Sequence, residues 1–318
     1  MASADFLHKN AETPLHEYYL AAGAVCSLST NSEQVLEAAR SSFLAFPSPT
    51  RQIDLRLRLW VDDKSRAESP WPKPYVRGMD HLVFAGFEAG NSLVVDLRKH
   101  VVIGNFSARM AADTAYWTTV IFPILITIVG ASLGIAELHC ASVARNGHAL
   151  LLAGPSGVGK STLALALAQN GWGFISDDRT LCSAHDGVVR VWGMPTRLKL
   201  RAEAAKWFPE WESMIAGPGW GEEVWFDPEH RLGLKRVWHC DPSAVIFLSR
   251  RVNPKFRLTR MRARDACEAL NRELMAELPD AAAKRASTIE KLINVPCWLL
   301  EYGGEPCAVA RQIASQIV

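Results

Sequence analysis

The chain has 318 residues, 49% of them hydrophobic and 21% charged, with a formal net charge of +2. That size can bury core enough for two domains, and a nearly balanced charge gives no reason to expect a nucleic-acid partner. Seven cysteines, an odd number without a CxxC pair or a Cys/His cluster at zinc spacing, argue against a disulfide scaffold and fit a reducing compartment.

The opening stretch MASADFLHKNAETPLHEYY is polar and lacks the apolar core of a signal peptide, so the expected location is the cytoplasm. TNSEQVLEAARSSFLAF predicts a helix, with Asn31 or Ser32 as its cap and Val35, Leu36 and Ala39 as its apolar side. PSPTRQ and ESPWPKP are loops, because proline fixes the backbone and removes donors. IDLRLRLWV (53–61) alternates apolar and charged residues with the period of a half-buried strand. HLVFAGF, SLVVDL and VVIGNFS follow, separated by EAGN and RKH, short breaks that suit an antiparallel meander. Residues 1–110 therefore read as a strand-rich N-terminal domain.

Residues 111–318 read as a second domain. TTVIFPILITIVGASLGIAEL (118–138) carries no charge before Glu137 and approaches the length of a membrane span. Pro123, Gly130 and Gly134 interrupt it and no basic cluster closes it, so the expectation is a buried helix over 112–138 and no membrane partner. HCASVARNGHALLLAG predicts two strands joined by a turn at Asn146–Gly147, and SGVGKSTLALALAQNG a loop and helix stopped at Gly171. WGFISDD, GVVRVWG, TRLKLR, SAVIFLSR (243–250) and PCWLLEYG (296–303) predict strands. RARDACEALNRELMAEL (262–278) predicts an amphipathic helix, and a terminal helix closes the chain. Strands alternating with helices give an α/β fold class.

GPSGVGKST supplies Gly154, Pro155, Ser156, Gly157, Val158, Gly159, Lys160, Ser161 and Thr162 in the G-x-x-x-x-G-K-[ST] pattern. Its setting is the required one, an apolar strand before it and an alanine/leucine helix after it. The glycines let consecutive N–H groups converge on phosphate oxygens, and the helix adds the positive end of its dipole. Lys160 should reach the β- and γ-phosphates and Ser161 should ligate Mg²⁺, with Thr162 as a substitute ligand. ATP and Mg²⁺ are the expected cofactors.

Asp177 and Asp178 follow Lys160 by one helix and one strand. In motor and switch proteins the magnesium aspartate usually lies on a more distant strand, so the early pair suggests a different layout. Neighbours on a strand point to opposite faces, so one carboxylate can hold Mg²⁺ while the other takes a proton from an attacking hydroxyl. The plain alternative is a strand-ending turn, which aspartate also favours.

The segment LHCASVARNGHALLLAGPSGVGKSTLALALAQNGWGFISDD (138–178) resembles the catalytic core of the HPr kinase/phosphorylase superfamily. It is closer to the HPr-kinase-like branch that includes serine kinases acting on lasso-peptide precursors. Weaker similarity, in WGMPTRLKLR and SAVIFLSR, extends over roughly 110–318. The resemblance implies a phosphoenolpyruvate-carboxykinase-like P-loop kinase core that moves the γ-phosphoryl of ATP to a serine hydroxyl of a peptide or small protein. It implies Asp177 as catalytic base, Asp178 with Ser161 at the metal, and His139 beside the base, with Lys160 at the transferring phosphate. The glycine-rich phosphorylase signature of the bifunctional enzymes is not visible, and the strand-rich N-terminal region does not resemble theirs. A homo-oligomer stays open. Two competing functions are a small-molecule kinase and a nucleotide-binding regulatory module without transferase activity.

Three further segments invite a role. KWFPEWESMIAGPGWGEEVWFDPEH (206–230) carries Trp207, Trp211, Trp220 and Trp225 with poor periodicity and reads equally as a substrate lid or as packing. SRRVNPKFRLTRMRAR (249–264) holds Arg250, Arg251, Lys255, Arg257, Arg260, Arg262 and Arg264. A solvated edge strand is the favoured reading and a patch for an acidic or phosphorylated group the other. Lys235 and Arg236 could reach the phosphates.

Overall fold

In the computed structural model, the alternation of IDLRLRLWV becomes strand β4 (Leu55–Asp62), with Leu55, Leu57 and Leu59 buried and Arg56 and Arg58 exposed. The structure describes residues 11–47, 52–62, 68–185, 187–194, 198–212, 223–251, 256–272 and 278–317. They fall into two units, Met1–Leu133 and Gly134–Val318.

In the first unit β1 (Leu15–Ala21), β2 (Ala24–Thr30), α1 (Glu33–Ser42) and β3 (Leu44–Ala45) precede β4. After it come β5 (Tyr75–Met79), β6 (Leu82–Glu88), β7 (Asn91–Asp96) and β8 (Val101–Ser107). They form one eight-stranded sheet in the order β3-β1-β2-β4-β8-β7-β6-β5. The expected antiparallel meander is β6-β7-β8, while β4 pairs in parallel with both β2 and β8, making the sheet mixed. The helical stretch α2 (Ala108–Ala111), α3 (Thr114–Tyr116), a π-helical turn (117–121) and α4 (Phe122–Gly130) supplies the aromatic core. Trp117 lies 4.6 Å from Phe106 and 5.2 Å from Phe122, ring centre to ring centre.

Two expectations change here. The apolar helix ends at Leu133, and Ala136–Leu138 is a strand, because Gly134 adopts a positive φ of 77° that a helix cannot continue through. This stretch also belongs to the first unit, so the division falls after Leu133 and not at residue 110. Thr114–Leu133 is long and apolar enough to cross a membrane by length and composition, and half of its most apolar window is buried.

In the second unit β9 (Ala136–Leu138), β10 (Cys140–Arg145) and β11 (His148–Ala153) lead into α5 (Lys160–Gln169). Then follow β12 (Gly173–Ser176), β13 (Thr180–His185), β14 (Val188–Trp192), β15 (Leu198–Arg201), β16 (Glu223–Phe226) and α6 (Pro228–Leu232). The chain ends with β17 (His239–Arg250), β18 (Arg257–Arg260), α7 (Ala263–Asn271), α8 (Pro279–Leu292), β19 (Cys297–Tyr302) and α9 (Pro306–Ile317). The main sheet runs β12-β10-β11-β17-β14-β13-β9 and branches at β17: its first residues pair with β14, and its last six run parallel to β19. The result is a mixed α/β unit.

Both faces of this sheet are covered. Leu150, Leu152, Ile246 and Leu300 pack with α5 and α9, and Leu151, Val245 and Cys297 pack with α7 and α8. A central strand buried on both sides reads as an unbroken apolar run, which is why β11 is ALLLA and not an alternation. α5 has no polar stripe for the same reason: Leu163, Leu165 and Leu167 are all buried. The segment expected to be helical over 262–278 forms α7, and residues 273–277 lie outside the described residues.

Candidate active site

β11 delivers the loop. Behind it, the turn at Asn146–Gly147 has φ of 53° and 82°, the two positive values that a two-residue hairpin needs and that an Asn-Gly pair accepts. Beyond Ala153 the loop swings through positive φ at Gly154, Gly157 and Gly159 before α5 begins at Lys160. The Lys160 ammonium is buried and donates to the Gly154 carbonyl at 2.7 Å and to that of Pro155 at 3.3 Å. An ammonium folded over its own loop is held where an entering phosphate group could take over those contacts.

The loop opens into a cleft of about 340 Å³. Ser156, Gly157, Gly159, Lys160, Ser161 and Thr162 line one part of it, and His139 and Asp178 another. Lys199, Arg201, Lys206 and Arg250 add cations to its wall, with Glu203, Trp207 and Tyr302 beside them. Of the expected site residues, Gly154, Pro155 and Val158 are loop positions that do not line the cleft.

β12 ends at Ser176, so Asp177 and Asp178 sit in the bend that follows, not on the strand. The bend is tied down on several sides. Ser176 Oγ donates to the Arg179 carbonyl at 2.5 Å, Thr180 Oγ1 donates to the Cys140 carbonyl at 2.8 Å, and Arg179 pairs with Glu137 at 3.0 Å. Those ties to β9 and β10 bring His139 to the bend: its Nε2 lies 3.0 Å from Asp178 Oδ1, with both side chains partly exposed.

The two carboxylates separate by depth. Asp178 lines the cleft. Asp177 is 2% exposed, does not line the cleft, and its Oδ2 accepts the Lys199 N–H of β15 at 2.8 Å. Burial pushes its carboxyl up to about 7, helped by the neighbouring Asp178 charge and opposed by the Lys199 hydrogen bond. The Ser161 hydroxyl donates to the Asp177 carbonyl at 3.4 Å, a long contact. The structure therefore gathers the loop, Ser161, Asp178 and His139 around one space and places the Asp177 side chain behind the β15 wall. Asp178 is the carboxylate of the pair that faces this space.

The tryptophan-rich segment divides. Trp207 lines the cleft, while Trp211 stacks on the buried Phe208 at 5.8 Å. Trp220 and the side chain of Trp225 lie outside the described residues. Part of the arginine run is paired: Arg251 with Glu301, Arg262 with Asp265 and Arg264 with Glu268, while Arg260 lies over Trp298. Lys255 lies outside the described residues, and Arg250 alone of the run lines the cleft. Neither Lys235 nor Arg236 lines it; Arg236 faces Asp227 and Glu229. Sequence reasoning gave no role to Lys199, Arg201 or Tyr302, which reach the cleft only through the placement of β15 and β19.

No family model and no curated protein matches the chain. Among solved structures, the HPr(Ser) kinase/phosphatase from Coxiella burnetii is similar at 12% identity, over 56% of this chain and 94% of that one, with a TM-score of 0.31. At that level of similarity the function has to be read from the cleft itself.

Proposed function

We propose that the chain is an ATP- and Mg²⁺-dependent kinase with an HPr-kinase-like core, transferring the γ-phosphoryl group to a serine hydroxyl of a peptide or small protein. The observation that carries this reading is one cleft faced by both the G-x-x-x-x-G-K-S loop and the Asp178–His139 pair. Loop amides and Lys160 would hold the triphosphate, and Lys199, Arg201 and Arg250 supply further positive charge where anionic oxygens would lie.

The Ser161 hydroxyl, which faces the cleft, would help hold Mg²⁺, whose charge would offset that of the nucleotide phosphates. No group of three or more His, Cys, Asp or Glu side chains forms a cage among the described residues. Mg²⁺ keeps waters and phosphate oxygens as most of its ligands, so a cation delivered with its nucleotide would need few protein donors.

The proton of the attacking hydroxyl needs an acceptor within reach of the cleft. Asp178 is the aspartate of the pair that faces it, and His139 at 3.0 Å can orient that carboxylate and share the proton. We therefore assign the base to Asp178 in place of Asp177. Asp177 then acts as a brace that fixes β15, and with it Lys199 and Arg201, against the loop.

Incubating the protein with Mg-ATP and, separately, a serine-peptide pool and a metabolite pool tests the reading, with products read by mass. Phosphorylated peptides from the wild type and none from Lys160→Ala are expected. Products confined to the metabolite pool would replace the acceptor class, and nucleotide binding with no product in either pool would leave a regulatory module.

A further inference from the structure

We infer that Tyr302, at the end of β19, is a positioning residue that sets the conformation of the phosphate-binding loop and thereby its affinity for a triphosphate. The inference rests on the nucleotide reading of the cleft. Tyr302 is far from the loop in sequence, and its hydroxyl donates to the Val158 carbonyl at 2.6 Å. Burial pushes its hydroxyl up to about 12, so it stays a donor across the working pH range.

The consequence follows from the geometry of a peptide unit. In a trans peptide the carbonyl oxygen of Val158 and the N–H of Gly159 lie in one plane and point in opposite directions. Holding that oxygen on Tyr302 directs the Gly159 N–H away from the tyrosine. The plane is bounded by Val158 on one side and on the other by Gly159, at φ 107°. A glycine at 159 lowers the cost of turning this plane over, and the Tyr302 hydrogen bond opposes that turn. Turned over, it would offer an anion a carbonyl oxygen in place of an N–H, which is repulsive.

A second contact marks the same pair. A Cβ at position 159 would lie 2.6 Å from the Tyr302 oxygen, so a side chain there is excluded by the hydroxyl as well as by φ. Tyr302 is itself fixed: it is 5% exposed, pairs with Arg250 in the β17–β19 ladder, and its carbonyl accepts the Arg251 N–H at 2.8 Å. The other end of the loop is buttressed by β17, whose Leu248 carbonyl lies 3.1 Å from where a Gly154 Cβ would sit. Two neighbouring parallel strands thus hold the loop at both ends.

Tyr302→Phe removes the hydroxyl and keeps the ring. The test measures Mg²⁺-AMP-PNP affinity and the melting temperature without nucleotide, for wild type, Tyr302→Phe, Gly159→Ala and the double variant. Loss of one such hydrogen bond should weaken nucleotide binding about five- to tenfold, with the nucleotide-free melting temperature little changed. Gly159→Ala should lose less affinity when combined with Tyr302→Phe than alone, because the clashing oxygen is gone. Wild-type affinity in Tyr302→Phe overturns the inference, and so does a loss of binding that merely tracks a large loss of stability. A wild type that binds no nucleotide overturns the reading of the cleft, a distinct result.

Discussion

A carboxylate taken out of water is costly, and Asp177 carries that cost in the native state. Its carboxyl is lifted from the ordinary 3.8 to about 7 by burial. The folded chain then holds the Asp177 proton more tightly than the unfolded chain does. Stability from this group is therefore complete at pH 4 and below, falls as pH rises from about 4 to about 7, and is constant above. Asp177→Asn keeps an oxygen for the Lys199 N–H and removes the charge. In denaturant melts it should be more stable than wild type at pH 8, by at most about 4 kcal/mol at 1.36 kcal/mol per pH unit, and equal to it near pH 4. Lower stability than wild type at pH 8 would contradict the burial account. If Asp178 is the base, as proposed, transfer should survive in this variant, whose residue accepts the Lys199 N–H of β15.

At the scale of elements, the bend after β12 depends on a close approach from the far end of β14. Gly193 donates its N–H to the Trp238 carbonyl at 2.9 Å, and a Cβ there would collide with the Ile175 carbonyl oxygen, a backbone atom that cannot rotate aside. Gly193→Ala should therefore displace β12 and the aspartates behind it, costing about 1–3 kcal/mol as overpacking does. Gly147→Ala, where open space surrounds the site and only positive φ opposes a side chain, should cost about 1–2 kcal/mol. Urea melts of the two, paired with nucleotide-binding assays, should show affinity falling for Gly193→Ala alone.

Elements set by local pattern were legible in the sequence: β4 by alternation, β11 by its apolar run, the hairpin by Asn-Gly, and the end of α5 by Gly171, whose φ is 86°. β2 was passed over because its first five residues are buried and leave no alternation. α8 was passed over although Pro279 and Asp280 mark its first turn. The wall of the cleft was not legible. Lys199 meets Asp177, and Tyr302 meets Val158, only through strand order, which no short window of residues encodes. The depth of the two aspartates depends on that same wall, so adjacency suggested a division of roles without showing which of them faces the cleft.

For the whole molecule, the relevant fact is that the cleft belongs to the unit Gly134–Val318, while the eight-stranded sheet belongs to Met1–Leu133. A ligand stabilises the structure that binds it by RT ln(1 + [L]/Kd), about 2.7 kcal/mol at a hundredfold excess over Kd. Calorimetry with Mg-ATP should raise the transition that contains the cleft. An equal rise in Lys160→Ala would place the nucleotide elsewhere.

The most direct test is single-turnover transfer from Mg-ATP to an acceptor peptide found in the pool assay, comparing wild type, Asp178→Asn and Asp177→Asn. A positioned base contributes about 10²–10⁴ in rate. Asp178→Asn should therefore bind ATP like wild type and transfer at least about 100-fold more slowly, with Asp177→Asn within about tenfold of wild type. Wild-type transfer by Asp178→Asn, with the rate collapsing in Asp177→Asn instead, would show that the buried carboxylate takes the proton and that β15 must move aside.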